Sequence, residues 1–463
     1  MKKQKLLSDR ISIPITIALI ISFTMSCGKS FLDKKPDSAL VIPQSLDDFQ
    51  ALLDNYRYFV QNVSPSLNQT AADDLLISDA GLKALQAHER DSYIWSKDLQ
   101  MFSVDWDYPY RQVFYCNIVL DGIETIDVSD QNRKMYNAVK GMALFLRAQA
   151  FFALSQTFCE PFIPSGNNES LGVPLPNTSD VTKRFDRGTV AEVYDQIVSD
   201  LTQAVELLPE KTVYLSRPSK IAANALLSRA YLSMGLYEEA GAAANDALNK
   251  YSTLIDYNAL NMSSTRAFPL ALSAGNAEMI YYSSLILNTF SSSAQTGVAP
   301  ELYSQYEVSD LRKSAFFINK GIGILNYRGS YSGDAYLFCG LATDELYLIR
   351  AESFARKGNI AAAMQDLNTL LVKRYKTGTY VARTAPSAQE ALAIILTERR
   401  KELIGRGIRW SDLRRLNREP QFSVTLKKTV DGKEISLPPN DLRYVFPIPL
   451  SELAYHDIPQ NPR

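Results

Sequence analysis

One stretch, Ser219–Tyr251, limits what this chain can become more than any other. Small or apolar residues stand at Ala223, Leu227, Ala230, Tyr231 and Met234, the spacing of one buried helical face. Gly235 interrupts the pattern. A second face begins at Tyr237 and runs through Ala240, Ala244, Ala247 and Leu248. Alanine at Ala240, Ala244 and Ala247 lets two antiparallel helices approach closely. A single hairpin cannot bury its own apolar face, so the rest of the chain has to supply neighbours. The plainer alternative is a helical hairpin inside an ordinary all-α core. Both readings give a fold that is mainly α, built of helical hairpins.

The order Leu227, Tyr231, Gly235, Tyr237, Ala240, Ala247, Leu248 resembles the tetratricopeptide repeat, a helix–turn–helix of about 34 residues. Related patterns recur within 105–158, 189–251 and 344–375. Trp106, Tyr110, Val113, Phe114, Asn117 and Leu120 share one face of a segment ending at Ile123. Tyr136 to Phe158 forms the next helix, and its Arg147 reads as an interhelical ion-pair or carbonyl donor. Thr189 and Glu192 predict a capping box, and Pro209 ends the helix that follows. From Asp344 onward, Tyr347, Ala351, Phe354, Gly358, Ala363 and Leu367 fall at repeat spacing. Ahead of all these, Leu46, Phe49, Leu52, Leu53 and Tyr56 mark an amphipathic helix with Ser45 as its N-cap. Residues 62–104 and 252–343 show no sustained period and read as loop-rich, with short elements and minor β structure.

Removing residues 1–26 takes away Lys2, Lys3, Lys5, Arg10 and Asp9, leaving 45 basic against 49 acidic residues. That balance argues against a polyanion partner such as nucleic acid. Lys2, Lys3, Lys5 and Arg10 precede an apolar run, Ile11–Phe23, too short for a stable transmembrane anchor, so residues 1–26 read as a secretory signal. Ser26-Cys27 at its end is similar to a bacterial lipoprotein processing site, which would make Cys27 the lipidated N-terminus and 27–45 a tether. Cys116, Cys159 and Cys339 are far apart and odd in number, so they predict neither a metal site nor a disulfide framework.

Phe31-Leu32-Asp33 and Pro36 follow Cys27 closely, and this start resembles the mature SusD/RagB family of outer-membrane nutrient-binding lipoproteins. Further motifs carry the same resemblance: Arg187-x-Thr189 before its helix, and PELYSQYEVSDLRKSAFF. The C-terminal block adds Glu398, Arg399, Glu402, Leu403, Gly407, Arg409, Asp412, Leu413 and Arg415, then Phe446-Pro447-Ile448-Pro449 and Gln460-Asn461-Pro462. Arg406 stands where the family carries an acid before the glycine, so an ion pair of that acid must be absent or rearranged. Glu398 to Leu413 reads as one continuing helix with Leu396, Leu403, Trp410 and Leu413 on its apolar side. The resemblance implies a single domain over 46–463. It also implies a lipid anchor at the outer membrane facing the exterior, and a TonB-dependent (SusC-like) transporter that receives the captured ligand.

Little in the chain suggests catalysis. No phosphate-binding glycine loop, HExxH or GxSxG occurs, and His88 and His456 are the only histidines. No cofactor is expected. The leading reading is therefore a non-enzymatic receptor for an oligosaccharide; a glycan hydrolase on a helical scaffold, and a peptide-binding or adaptor lipoprotein, stand beside it. Sugars are amphipathic, so a site needs flat rings beside amides, carboxylates or arginine. Two irregular regions hold that mixture: Asp73, Asp74 and Trp95 in one, and Tyr281, Tyr282, Asn288, Phe290, Tyr327, Arg328 and Tyr331 in the other.

Overall fold

In a computed structural model, residues 43–463 are described except 100, 322 and 330. The expectations for the leader, Cys27 and the FLD motif lie outside these residues. Ser45 starts helix α1 (Leu46–Leu53) with a reciprocal cap: its hydroxyl accepts the Asp48 N–H, and the Asp48 carboxylate accepts the Ser45 N–H. Asp54 ends α1 earlier than the apolar pattern suggests. Tyr56–Phe59 is a separate turn capped by Asn55.

Seven long helices form the scaffold: α2 (Val104–Ile123), α3 (Arg133–Phe158), α4 (Val190–Leu207), α5 (Lys220–Met234), α6 (Tyr237–Leu248), α7 (Thr343–Arg356) and α8 (Ile360–Leu371). Each packs on the next, so the array runs from α6 straight to α7 although a long irregular excursion separates them in sequence. α3 is long and apolar enough to cross a membrane, but it is nearly all buried between its neighbours. The α5–α6 turn forms at Gly235, whose φ of +75° is the left-handed conformation that glycine accepts most readily. The stripe of Ala240, Ala244 and Ala247 is fully buried. Beside it, a Cβ added at Gly241 would lie 2.2 Å from Ser353 Oγ on α7, so no larger residue lets these helices meet. Thr189 and Glu192 make the predicted capping box of α4. Arg147 is an interhelical ion-pair donor: its Nε and Nη2 each lie 2.8 Å from Asp200 on α4, and Nη1 donates to Asn117 on α2 at 2.9 Å.

The C-terminal block corrects one expectation. Glu398 to Leu413 is not one helix: α9 (Ala388–Glu402) stops, and α10 (Arg409–Leu416) starts afresh. Gly405 and Gly407 sit at φ +73° and +69°, which turns the chain sharply and carries Arg406 inward. There Arg406 ion-pairs with Asp344 at the start of α7, which accounts for the acid missing before Gly407.

Motifs that lie far apart in sequence meet here. Arg312 and Asp310, from the excursion, pair with each other at 2.7 Å, and Arg312 reaches Glu398 at 2.6 Å and Glu402 at 3.0 Å. Arg374 joins Glu402 and Glu278, each at 2.7 Å, with all three side chains fully buried. Arg187 donates to Pro459 O at 2.8 Å and to Asn461 Oδ1 at 2.7 Å. Asn461 in turn donates to the Phe158 and Phe446 carbonyls. The strands are short antiparallel pairs. β1 (Leu75–Ile77) pairs with β2 (Thr296–Val298) and so joins the two irregular regions. β3 (Leu426–Val430) and β4 (Lys433–Leu437) form a hairpin that turns at Asp431-Gly432, both with positive φ.

Candidate binding groove

The two irregular regions do meet, but most of the residues expected to bind ligand are spent holding them together. Asp73 accepts from Arg409 at 2.7 and 3.0 Å and pairs with Arg400 at 3.0 Å; Asp74 pairs with Arg400 at 2.9 Å. Burial raises the Asp74 carboxyl above its ordinary range. Asp73 is half-buried, yet Arg409 and Arg400 hold it low. These acids anchor the first irregular region to α9 and α10.

Trp95 is 1% exposed, its indole N–H donates to Ala71 O at 2.9 Å, and the Lys428 ammonium lies 4.5 Å over its ring. A ring so enclosed cannot stack on a sugar. Tyr281, Tyr282, Phe290 and Tyr331 are likewise buried. The Tyr281 hydroxyl bonds to Phe59 O and Gln149, the Tyr331 hydroxyl to Glu278, and Phe290 packs on Tyr93. Tyr327 is half-buried against Phe316 and Phe317. Arg328 donates to the carbonyls of Met262, Thr265 and Ser314. The physical reason is common to all: irregular backbone needs an internal core and partners for its carbonyls, and these side chains supply both.

Asn288 alone among the expected residues lines an open groove. Its amide is committed, accepting the Ser291 N–H at 2.9 Å and donating to Thr70 Oγ1 at 3.0 Å. The groove, about 380 Å³, lies between Asn62, His88, Phe102, Tyr108, Leu287 and Asn288. Phe102 is 56% exposed and stacks on the half-buried His88 ring, centroids 5.3 Å apart. Asn62 holds the floor: at φ +55° its Oδ1 accepts the Leu287 N–H at 2.9 Å. Asn62 and Tyr108 also border a niche of about 60 Å³ completed by Arg57, Tyr58 and Arg111. Tyr58 stacks on Tyr115 at 5.0 Å, and the Arg111 guanidinium lies 5.5 Å from the Tyr58 ring and 5.0 Å from the Tyr108 ring.

Two carboxyls border the groove, and both serve the backbone. Glu89 accepts the N–H groups of Thr289 and Phe290 at 2.6 and 3.2 Å. Asp105 accepts the Ser66 N–H at 2.8 Å, and burial raises its pKa to about 6. On the other flank of α2, Trp106, Tyr110, Phe114, Lys183, Phe185 and His456 line a second groove of about 460 Å³. Several of its polar groups are engaged: Tyr110 donates to Pro174 O, Asn117 to Pro176 O, and His456 bonds Glu452.

Tyr108 and Arg111 were discoverable. They stand three residues apart on α2, off the face that holds Trp106, Val113 and Asn117, which leaves an aromatic and a cation together on a solvent side. Tyr58 had no comparable signal.

The structure is thus a helical-hairpin scaffold whose irregular segments and helix α2 form a groove with rings beside polar groups. Comparison with known proteins agrees. Residues 30–232 match a family described as SusD-like, starch-binding and associating with the outer membrane, and residues 343–462 match the SusD family itself. Together the two segments take in well over half of the chain, which belongs to the SusD/RagB family. A SusD-like protein from Formosa agariphila is 27% identical over 173 residues, 37% of this chain and 32% of that protein, so the match spans about a third of its length. A SusD superfamily protein from Bacteroides thetaiotaomicron superposes with a TM-score of 0.70 at 25% identity, over 90% of this chain and all of that one. Two Bacteroides vulgatus proteins share the fold at 21% identity. One belongs to the SusD superfamily (TM-score 0.73, 91% and 99% of the chains); the other is a SusD-like carbohydrate-binding protein (0.68, 90% and 97%).

Proposed function

We propose that the protein is a lipid-anchored receptor on the cell exterior that binds an oligosaccharide without cleaving it. It then delivers the ligand to a TonB-dependent, SusC-like transporter in the outer membrane. The observation that carries the reading is the groove itself. Phe102, 56% exposed, offers a ring face for the C–H surfaces of sugars, with the half-buried rims of Tyr58 and Tyr108 near it and amides that suit hydroxyl groups. The Ser26-Cys27 leader supports an anchor, and membership of a carbohydrate-binding family associated with the outer membrane supports both ligand class and place. A helical array presents the extended surface that docking on a barrel protein requires. The hydrolase alternative needs a free acid–base pair, and Glu89 and Asp105 beside the groove are already occupied by backbone N–H groups.

A glycan array with the wild type, Tyr58→Ala and Tyr108→Ala tests the reading. Binding by the wild type and its loss in both variants is the expected result. Equal binding by both variants would remove this groove as the site. Wild-type binding to no glycan would favour a peptide ligand or an adaptor, and turnover of a bound glycan would favour the hydrolase.

A further inference from the structure

Arginines in this protein are ordinarily paired. Arg217 chelates Asp54, Arg400 joins Asp73 and Asp74, and Arg312, Arg374 and Arg415 are surrounded by carboxylates. Arg57 and Arg111, like Arg184, differ. Both are exposed, and among the described residues neither side chain makes a hydrogen bond or an ion pair. They border the same niche with Tyr58, Asn62 and Tyr108, and no acidic residue lines it.

Acids in the vicinity are otherwise engaged or apart. Asp54 is held by Arg217, and Glu89 and Asp105 serve backbone N–H groups. Asp107 shares the second groove with Arg111 but forms no ion pair with it. Two guanidinium groups around one uncompensated niche repel each other, and an anion between them would relieve that repulsion. The Tyr58 and Tyr108 ring faces hold the Arg111 guanidinium by cation–π attraction, which leaves its N–H fork unspent.

We propose that the ligand is an acidic oligosaccharide whose carboxylate or sulfate group enters this niche and is bound by Arg57 and Arg111. The inference rests on the carbohydrate reading above and deepens it. A planar, permanently charged fork recognises either group through paired charge-assisted hydrogen bonds. The niche, about 60 Å³, is several times the roughly 10–15 Å³ that admits one water, so it takes a charged substituent but not a sugar ring. The ring would lie on the Tyr58 and Tyr108 rim, and the chain would extend past Asn62 into the larger groove.

The test uses the mature protein with uronate oligosaccharides (oligogalacturonate and oligoalginate) and sulfated ones (from heparin and carrageenan). Each is paired with its carboxyl-reduced or desulfated counterpart. The proposal expects at least one charged form to bind roughly tenfold or more tighter than its neutral counterpart, the scale of a hydrogen bond to a charged group. Arg111→Gln should abolish that preference, so that the charged and neutral members of each pair bind the variant alike. Added salt should lower the charged affinity only. The carboxylate and sulfate arms tell the two anion sources apart. Arg111 is exposed, and an unchanged melting temperature of the variant confirms that its fold is intact. Equal or tighter binding of the neutral forms would overturn the acidic-ligand inference while leaving the carbohydrate reading standing. A charge preference that survives both Arg57→Gln and Arg111→Gln would also overturn it. Binding of neither form of any pair would overturn the acidic-ligand inference, and the glycan array then decides the carbohydrate reading.

Discussion

The helical array and the irregular half of this molecule are held together by different physics. From α2 to α8 the chain buries alanine, leucine and phenylalanine along continuous faces, with Arg147–Asp200 as an occasional ionic crosslink. The excursion between α6 and α7 has clusters of aromatic rings, but it is fastened to α9 and the segment after α8 by a buried ionic seam: Asp310, Arg312, Glu278, Arg374, Glu398 and Glu402. Apolar faces are tolerant of exchange and signal themselves by periodicity. A buried ion pair is neither: each partner is costly alone, and the pair exists only if the fold is right. The seam therefore specifies where the loops sit, and so where the groove lies.

That contrast can be broken or sharpened by mutation. The largest effect is expected from Arg374→Leu, which leaves Glu278 and Glu402 buried without their shared cation; denaturant unfolding should show a loss of about 3–5 kcal/mol. Replacing Arg374, Glu278 and Glu402 together by apolar residues should recover much of that loss. A triple variant as unstable as the single one would mean that the seam stabilises outright rather than specifies. Trp95→Ala should cost about 3–5 kcal/mol, as removal of an enclosed indole does, and a change confined to glycan affinity would return Trp95 to the binding surface.

On the helical side, Gly235→Leu should cost roughly 1–3 kcal/mol: φ is +75°, and an added Cβ would approach Pro164 Cγ to 2.8 Å. An unchanged melting temperature there would contradict the close hairpin. The smallest effect on stability belongs to Phe102→Ala in the groove wall, within about 0.5 kcal/mol, together with weaker glycan binding in the same array. Loss of stability without loss of binding would make Phe102 part of the wall's packing instead.

Much of the scaffold was legible because its signals are local. Ser45, Thr189 and Gly235 announce a helix start, a capping box and a left-handed turn through a few neighbouring residues each. The β3–β4 hairpin carried a signal of the same kind, Asp431-Gly432 between alternating residues, which is easily passed over in a chain so rich in helix. Gly405 and Gly407 likewise forecast a break after α9, against the apolar spacing that suggested a continuing helix.

The candidate site was legible only as two irregular regions of suitable chemistry; that they meet is a finding of the structure. Asn288 lines the candidate groove, with its amide committed to Thr70 and Ser291. Trp95, Tyr281, Tyr282, Phe290 and Tyr331 had the right chemistry for a sugar and turned inward, because whether a ring faces solvent or core depends on what packs over it.

By itself, then, the sequence determined the hairpins, their caps and turns, and the family motifs, since each depends on residues within a few turns of one another. Only the tertiary structure decided that Arg312 meets Glu398, that Asn461 closes on Arg187, and that Arg57 and Arg111 share one niche without a counter-charge. Those pairings cross long sequence separations with no period to betray them, and their energy arises from burial and low dielectric that exist only once the chain has folded.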